Sequence, residues 1–190
     1  MNYLSKRSLM GMLTLTTLAF SQMISTAAPP SEETLIANLA SPKEGVVADA
    51  LQGLEKNYPA STNGFAAMKK LLADPRPKVQ IKAARVLGIL HAPVDLVDIS
   101  NICVMLKSAD AGVVTAALKS LRGLNAPAAV PEILPVLKSH TPNLVRDACR
   151  TLAVLGDKSV IPSIEPLLQN PNPKVQMDAQ DAIFALKAKP

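Results

Sequence analysis

Apolar residues recur along the chain in a helical pattern that is repeated five times. The five copies align on one reference position: Val46, Val79, Val113, Leu144 and Val175. Four residues later every copy has alanine: Ala50, Ala83, Ala117, Ala148 and Ala179. Eight residues later stand four leucines and an isoleucine: Leu54, Leu87, Leu121, Leu152 and Ile183. Positions zero, four and eight share one side of a helix at about 100° per residue, so each copy predicts an amphipathic helix.

A second apolar pattern precedes each of these helices. Seven residues before the reference every copy has leucine: Leu39, Leu72, Leu106, Leu137 and Leu168. Eleven residues before it the copies have Leu35, Met68, Ile102, Ile133 and Ile164. Polar, proline-containing turns separate the two patterns in most copies. Each copy is therefore predicted to be a helical hairpin, with the alanine letting its two helices approach closely.

One seven-residue motif occurs twice in these turns. Residues 74–80 and 170–176 both read Asp or Asn, Pro, any residue, Pro, Lys, Val, Gln. A single hairpin cannot bury its apolar face, so similar hairpins must stack, and repetition follows from that requirement. Pro135 and Pro166 fall within the first helices of copies four and five and are expected to kink them. Three second helices have predicted N-caps: Asp110, Thr141 and Asn172.

The best-defined copy, LVRDACRTLAVLGDKSVIPSIEPLL at residues 144–168, resembles the HEAT-repeat family, in particular its short bacterial, phycobilisome-lyase-type form. The resemblance covers about residues 31–187. It implies an all-α, right-handed α-solenoid of about five stacked hairpins, at about 31–57, 58–91, 92–124, 125–155 and 156–187. The family includes scaffolds, adaptors and some lyase subunits. Only the fourth copy has Leu-Gly-Asp after its second helix, so looser turns are expected elsewhere.

The N-terminal segment, residues 1–27, has the pattern of an export signal. Lys6 and Arg7 precede an apolar run over residues 9–20, and small residues follow, so cleavage is predicted between Ala27 and Ala28. The alternative is an uncleaved membrane anchor, but the run is shorter than the roughly 20 residues that span a bilayer. The remaining part of the chain, 28–190, forms one predicted repeat domain, located in the periplasm or secreted.

Charge and aromatic content argue against a nucleic acid partner. The formal net charge of +5 falls to +3 without Lys6 and Arg7 of the predicted leader, which implies no polyanion by itself. The chain has no tryptophan and two tyrosines, so stacking platforms for bases are missing.

Residues with catalytic or metal-binding chemistry are sparse. His91 and His140 each stand just outside a predicted helix and are interpreted as solvated. Asp178 and Asp181 share one side of the last helix and are also interpreted as solvated carboxylates. Metal sites need several ligands together, and no such spacing occurs. The sequence therefore predicts no catalytic site, no metal and no cofactor.

The two cysteines are predicted to be buried thiols. Cys149 occupies a position that packs one repeat onto the next, and Cys103 lies in the first helix of the third repeat. Their separation argues against a disulfide, although an exported chain with two cysteines would permit one.

The two ends of the array differ from its interior. Positions that are apolar in inner copies carry Asn38 in the first copy and Gln180 in the last, which suggests polar caps and a complete array. Met177 and Phe184 lie on the outward side of the last helix. They are either an interaction site or covered by the short C-terminal tail, and the tail is the preferred interpretation.

Six residues after the reference position, the middle copies carry cations. Arg85, Lys119 and Arg150 are expected to form a stripe on the concave surface of the second helices, with Arg122 and Arg146 nearby. Concave surfaces of solenoids commonly bind partners. The alternative is that these are only solvated charges opposite a core.

Three functions are compatible with the sequence. The first is an exported, non-enzymatic scaffold or adaptor that binds a protein or peptide, with an acidic segment as the hypothesis, on its concave face. The second is a lyase-like or chaperone-like subunit that handles a cofactor. The third is a structural assembly factor of the cell envelope. The sequence leaves the oligomeric state open.

Overall fold

The structure is a computed structural model that describes residues 29–190. Within this range the chain contains only helices, turns and loops, with no β-strand. None of the described helices is long and apolar enough to cross a bilayer. The predicted leader and its cleavage position lie outside the described residues.

Ten α-helices follow one another as five hairpins, α1/α2 to α9/α10, in the described part of the chain. Their bounds are α1 (Glu32–Asn38), α2 (Glu44–Asn57), α3 (Thr62–Lys70), α4 (Pro77–Ile89), α5 (Leu96–Met105), α6 (Ala111–Gly123), α7 (Val130–Ile133), α8 (Pro142–Leu155), α9 (Ile161–Ile164) and α10 (Pro173–Lys187). Successive second helices pack against each other in the order α2, α4, α6, α8 and α10. The expected all-α solenoid of stacked hairpins is confirmed.

The core follows the columns found in the sequence. All five column alanines are at most 1% exposed: Ala50, Ala83, Ala117, Ala148 and Ala179. The four leucines four residues further on are fully buried: Leu54, Leu87, Leu121 and Leu152. One continuous apolar cluster therefore runs through all five hairpins.

The predicted N-caps of α6, α8 and α10 all occupy the cap position, but only two make a cap bond. Asp110 Oδ1 accepts from the backbone N–H of Gly112 over 2.7 Å, and Asn172 Oδ1 accepts from that of Lys174 over 3.0 Å. The side chain of Thr141 makes no such bond. Pro142 and Pro173 both occupy the first helical position, where the missing N–H needs no partner.

Prolines break the first helices of the last two hairpins, as expected. The helix α7 gives way to a 3₁₀ segment over Leu134–Lys138, which contains Pro135. The helix α9 gives way in the same manner over Glu165–Gln169, which contains Pro166. Because proline has no N–H to donate, the regular α-helical hydrogen bonding stops at these points.

The first residue of the duplicated motif, Asp74 or Asn170, forms a turn through its side chain. The backbone N–H of Arg76 donates to Asp74 Oδ1 over 2.8 Å, and that of Asn172 donates to Asn170 Oδ1 over 2.9 Å. Such turns hold the chain in an extended form just before a helix begins.

The glutamine at the end of each motif donates to a backbone carbonyl that precedes the second helix. Gln80 Nε2 donates to the carbonyl oxygen of Leu72 over 3.2 Å, and Gln176 Nε2 donates to that of Asn170 over 2.7 Å. The two acceptors are not equivalent, because Leu72 precedes the first motif and Asn170 is the first residue of the second, so the two joints share the side-chain turn but differ in this bond.

In the first of these joints, Arg76 also connects two neighbouring hairpins. Its guanidinium donates to both carboxylate oxygens of Asp74, and its Nη1 donates to the carbonyl oxygens of Ser41 and Pro42 over 3.1 and 3.0 Å. The hydrogen bond from Arg76 holds the pKa of Asp74 below its usual range, against the opposing effect of burial.

The turns that follow α4 and α6 are tight, so the expectation of looser turns was wrong for these two. His91 and Asn125 adopt left-handed conformations, with φ of 47° and 50°. The N–H of Ala92 then reaches back to the carbonyl oxygen of Leu87 over 3.1 Å, a common helix-ending motif. Asparagine and histidine enter this region more readily than most residues, so glycine is not needed. Gly156, in the Leu-Gly-Asp turn, has an ordinary φ of −80°.

Two glycines let α4 and α6 make backbone contact. A Cβ on Gly123 would lie 2.9 Å from the carbonyl carbon of Gly88, and a Cβ on Gly88 would lie 2.8 Å from Ser120 Cα. Both clashes involve backbone atoms, which cannot rotate away. The second and third hairpins therefore depend on these glycines for their spacing.

We expect Gly123→Ala to lower the free energy of unfolding by about 1–3 kcal/mol, the usual cost of overpacking a tight interface. Alanine is otherwise the better helix former, so the sign of the effect identifies the clash. Urea unfolding followed by circular dichroism measures it. Gly45→Ala is the control, since a Cβ there meets nothing within 4 Å and should leave stability equal or higher. A Gly123→Ala variant as stable as the parent would contradict the close contact.

The ion pair of Asp74 makes stability depend on pH. Since the folded-state pKa of Asp74 is lowered, its contribution is present above the unfolded pKa of about 3.9 and is lost as pH falls through the lower folded value. We expect Asp74→Asn to be less stable than the parent at about pH 6, and the difference to shrink at about pH 2.5. Urea midpoints at both pH values test this. Arg76→Gln removes the donor and should show the same trend, and a difference independent of pH in both variants would contradict the assignment.

Candidate partner-binding surface

The three predicted cations lie on the solvent side of the second helices. Arg85 on α4, Lys119 on α6 and Arg150 on α8 are all exposed, whereas the two residues on either side of each are buried. We call these three residues the cation row. The row exists as a surface feature, but its members differ in how far other residues neutralise them.

Arg85 is paired within the protein. Its Nη2 lies 3.3 Å from Glu55 Oε2, across the junction between the first and second hairpins. Both side chains remain partly exposed, so water reaches the pair. The carboxylate of Glu55 therefore competes with any acidic partner for Arg85.

Arg146 and Arg150 share one buried carboxylate. Arg146 Nε lies 2.6 Å from Asp178 Oδ2, and Arg150 Nη2 lies 3.0 Å from Asp178 Oδ1. The Asp178 side chain is 5% exposed, so the interpretation of Asp178 as solvated was wrong. Its position on α10 faces the preceding hairpin, where two arginines surround it. The three residues together carry one surplus positive charge.

Lys119 and Arg122 remain unneutralised within residues 29–190. Neither has a carboxylate within ion-pair distance in the described part of the chain. Both lie on α6, in the middle hairpin, with Lys119 exposed and Arg122 half-buried. Positive charge is therefore concentrated at the third and fourth hairpins rather than spread evenly along the row.

Two apolar side chains lie next to the cation row. Ile89 and Val154 stand one helical turn beyond Arg85 and Arg150, and about half of each side chain is exposed. At the equivalent place on α6 stands Gly123. Sequence reasoning missed these residues, although their position four residues after each cation is a usable signal.

Neither cysteine offers a reactive thiolate. The expectation of two free, buried thiols is confirmed. Burial, and next the negative charge of Asp178, raises the pKa of Cys149 to about 12. Burial likewise raises the pKa of Cys103 above its usual range. Both groups stay protonated near neutral pH, so they serve as packing residues.

The histidines do not converge with other ligands. His140 is exposed, as predicted. His91 is also exposed, but its Nδ1 lies 2.5 Å from the carbonyl oxygen of Gly123, so it bonds to the next hairpin. No group of three or more residues suited to hold a metal ion occurs within residues 29–190.

Met177 and Phe184 are exposed on α10. Their exposed fractions are 54% and 76%. The preferred interpretation, in which the C-terminal tail covers Phe184, was wrong. The tail turns the other way, because Lys189 Nζ binds the carbonyl oxygens of Val154 and Gly156 at the end of α8, over 2.6 Å each.

Comparison with known proteins identifies the repeat. Residues 99–183 match the family model for HEAT repeats. No curated protein matches the chain. The resemblance to HEAT repeats found in the sequence is thus confirmed for residues 99–183, and the described chain has the fold of HEAT and armadillo repeat proteins.

Solved structures with this fold include natural and designed proteins. One chain in the complex of CpcE and CpcF of phycocyanin lyase from Nostoc sp. PCC7120 is 23% identical to this chain. The two superpose with a TM-score of 0.73, over 88% of this chain and 69% of that chain. An engineered protein is 24% identical, with a TM-score of 0.63 over 82% and 79% of the two chains. A designed armadillo repeat protein in complex with the peptide (KR)4 is 17% identical, with a TM-score of 0.59 over 80% of each chain. At these identities the likeness establishes the fold alone.

We expect Asp178→Asn to lower the free energy of unfolding by about 2–4 kcal/mol, because the change leaves two arginines without their shared buried counter-charge. Chemical unfolding measures the effect. Asp181→Asn is the matched control on the same helix, since Asp181 is exposed and forms no ion pair within the described residues. Equal stability of the two variants would mean that Asp178 does not hold the last hairpin in place.

Proposed function

We propose that the protein is an exported, non-enzymatic adaptor that binds an acidic segment of another protein along its second helices, on the concave side of the array. The cation row carries this proposal, because it presents charges at regular intervals on an exposed helical surface. Support for export comes from the leader pattern in residues 1–27.

Charge favours an acidic segment centred on the third and fourth hairpins. Lys119 and Arg122 contribute two positive charges, and the cluster around Asp178 contributes one more. Less charge is available at Arg85, because Glu55 lies beside it. An acidic partner would gain most where no internal carboxylate competes with it.

Spacing favours an extended segment. Stacked helices lie roughly 9–10 Å apart, and an extended segment in the polyproline II conformation advances about 3.1 Å per residue with three residues per turn, so every third side chain points the same way. Acidic residues at every third position would therefore meet successive cations of the row. Ile89 and Val154, exposed beside the row, would contact apolar residues in the same segment.

Rigidity supports binding on such a surface. The second helices are fixed by a continuous core, so little conformational freedom is lost when a partner binds. The affinity then depends on the partner's own ordering and on the charges that it neutralises.

A lyase-like or chaperone-like subunit is the second candidate, suggested by the likeness to the phycocyanin lyase complex. That likeness is one of fold. Both thiols are buried and protonated, so neither supplies a nucleophile for attachment of a cofactor. The adaptor is therefore the preferred proposal, and an envelope assembly factor would be a constitutive form of it.

We expect the double variant Lys119→Glu with Arg122→Glu to lose the partner in affinity capture from envelope extracts, by at least about tenfold in quantitative mass spectrometry. Both residues lack internal ion pairs in the described structure, so the fold should survive, as circular dichroism can check. Arg85 and Arg150 are less suitable, because their replacement would also break internal pairs.

The matched control changes the same charge on the first-helix side of the array. Lys138→Glu with Lys158→Glu alters two exposed lysines of the fourth and fifth hairpins. Partners retained by the parent and the control but lost by the test variant would support the surface. Equal retention by all three proteins would contradict it.

A further inference from the structure

The C-terminal end of the array exposes three large apolar side chains, one of them at a position that the other hairpins bury. Phe184 and Met177 are largely exposed on α10. Leu168 is 37% exposed, whereas the leucine at the same position is buried in every other hairpin: Leu39, Leu72, Leu106 and Leu137. The polar residue Gln180 is exposed there too, so the expected polar cap covers only part of this end.

The first hairpin presents a polar surface at the opposite end. Asp49 and Lys56 on α2 are exposed, and Asn38 on α1 is half-buried. Stacking between hairpins shows which positions would meet if copies joined head to tail. Arg150 stands six residues after the reference position of the fourth hairpin. It contacts Asp178, which stands three residues after the reference position of the fifth hairpin. The equivalent residues of a head-to-tail contact are Asp181 and Asp49, two carboxylates that repel each other.

A contact between two identical C-terminal ends has no such conflict. Lys174, Met177, Asp181 and Phe184 lie within about 80° of each other around α10, at about 100° per residue. All four are exposed, and neither charged residue has an ion pair within the described chain. The surface thus alternates apolar and charged side chains, with one charge of each sign.

We propose that the protein forms a dimer through this end, with α10 antiparallel to α10 of a second copy and a two-fold axis beside Met177. In this arrangement Met177 meets the partner's Met177, and Asp181 lies opposite the partner's Lys174. Phe184 lies over the partner's Pro171, in the turn before the helix. The two-fold axis doubles each contact, as in most homodimers.

The position of the tail leaves this surface free. Lys189 is tied to the end of α8, in the preceding hairpin, so the last residues point away from the exposed side of α10. Nothing in residues 29–190 covers Phe184.

The dimer is expected to be of modest strength. A contact about 10 Å wide and 20 Å long buries roughly 200–400 Å² per copy, at most about 800 Å² in total, which is below the about 1,000 Å² of a stable interface and is typical of weak, transient association. A dissociation constant of roughly 10–100 μM is therefore expected. Association should depend on concentration over the range that analytical ultracentrifugation covers.

The test is sedimentation equilibrium of the purified protein, in the form that the cell accumulates, beside two apolar variants. We expect Phe184→Ser to weaken the dimer by roughly 30-fold or more, because the two-fold axis removes the aromatic contact from both halves of the interface at once. Leu96→Ser is the matched control, because Leu96 is 72% exposed on α5, far from the proposed contact, and its replacement should leave the dimer unchanged. Helicity and thermal midpoint should be unchanged in both variants.

A charge exchange tests the arrangement itself. Asp181→Lys alone and Lys174→Asp alone should each be monomeric, because like charges then face each other. A mixture of the two variants should dimerise, because each interface then contains two opposite-charge pairs. A monomeric parent, a dimer that survives Phe184→Ser, or a mixture that stays monomeric would each overturn the proposal.

Discussion

Burial between successive second helices holds the array together, since no hairpin contains enough apolar surface for a core of its own. Small side chains make this contact possible. The column alanines are buried in every hairpin, and Gly88 and Gly123 bring two helix backbones into contact. Ser120, at the same contact, is buried with a hydroxyl that has no hydrogen-bond partner in the described structure. Its small volume, and not its polarity, suits that position.

Ion pairs then connect the hairpins at each junction. The pair of Arg85 with Glu55 connects the first and second hairpins, and the pairs of Asp178 connect the fourth and fifth. Lys69 lies 2.5 Å from Asp98 between the second and third hairpins. Lys107 lies 3.4 Å from Glu132 between the third and fourth. Charges used in this way are partly neutralised and thus less available to a partner. The function proposed for the surface therefore depends on the charges that the junctions leave unpaired beside the cation row, which are Lys119 and Arg122 on α6 and the one surplus charge around Asp178.

The sequence predicted the fold well because the fold depends on apolar periodicity. Columns such as the alanines and leucines report directly which side of each helix is buried. The same periodicity also indicated that Arg85, Lys119 and Arg150 point outward. Proline positions predicted the broken first helices for an equally local reason, the missing N–H.

Predictions that depended on contacts between hairpins were less successful. Asp178 was judged from its own helix, where it lies beside Asp181, but the arginines that surround it belong to the preceding hairpin. Such contacts depend on how one hairpin is rotated against the next, and a single-helix projection contains no information about that rotation.

The two proposed surfaces differ in the interactions that they use, and this difference matters if both operate. The end of α10 is apolar with one charge of each sign, so its self-association should respond weakly to salt. The surface around Lys119 is cationic and should respond strongly, because exposed charges are screened over about 10 Å at 0.1 M ionic strength. A dimer joined at its ends would present two such cationic surfaces in one rigid rod of roughly 100 Å. A partner with two acidic segments at a matching separation would then bind more tightly than either segment alone, without any new contact.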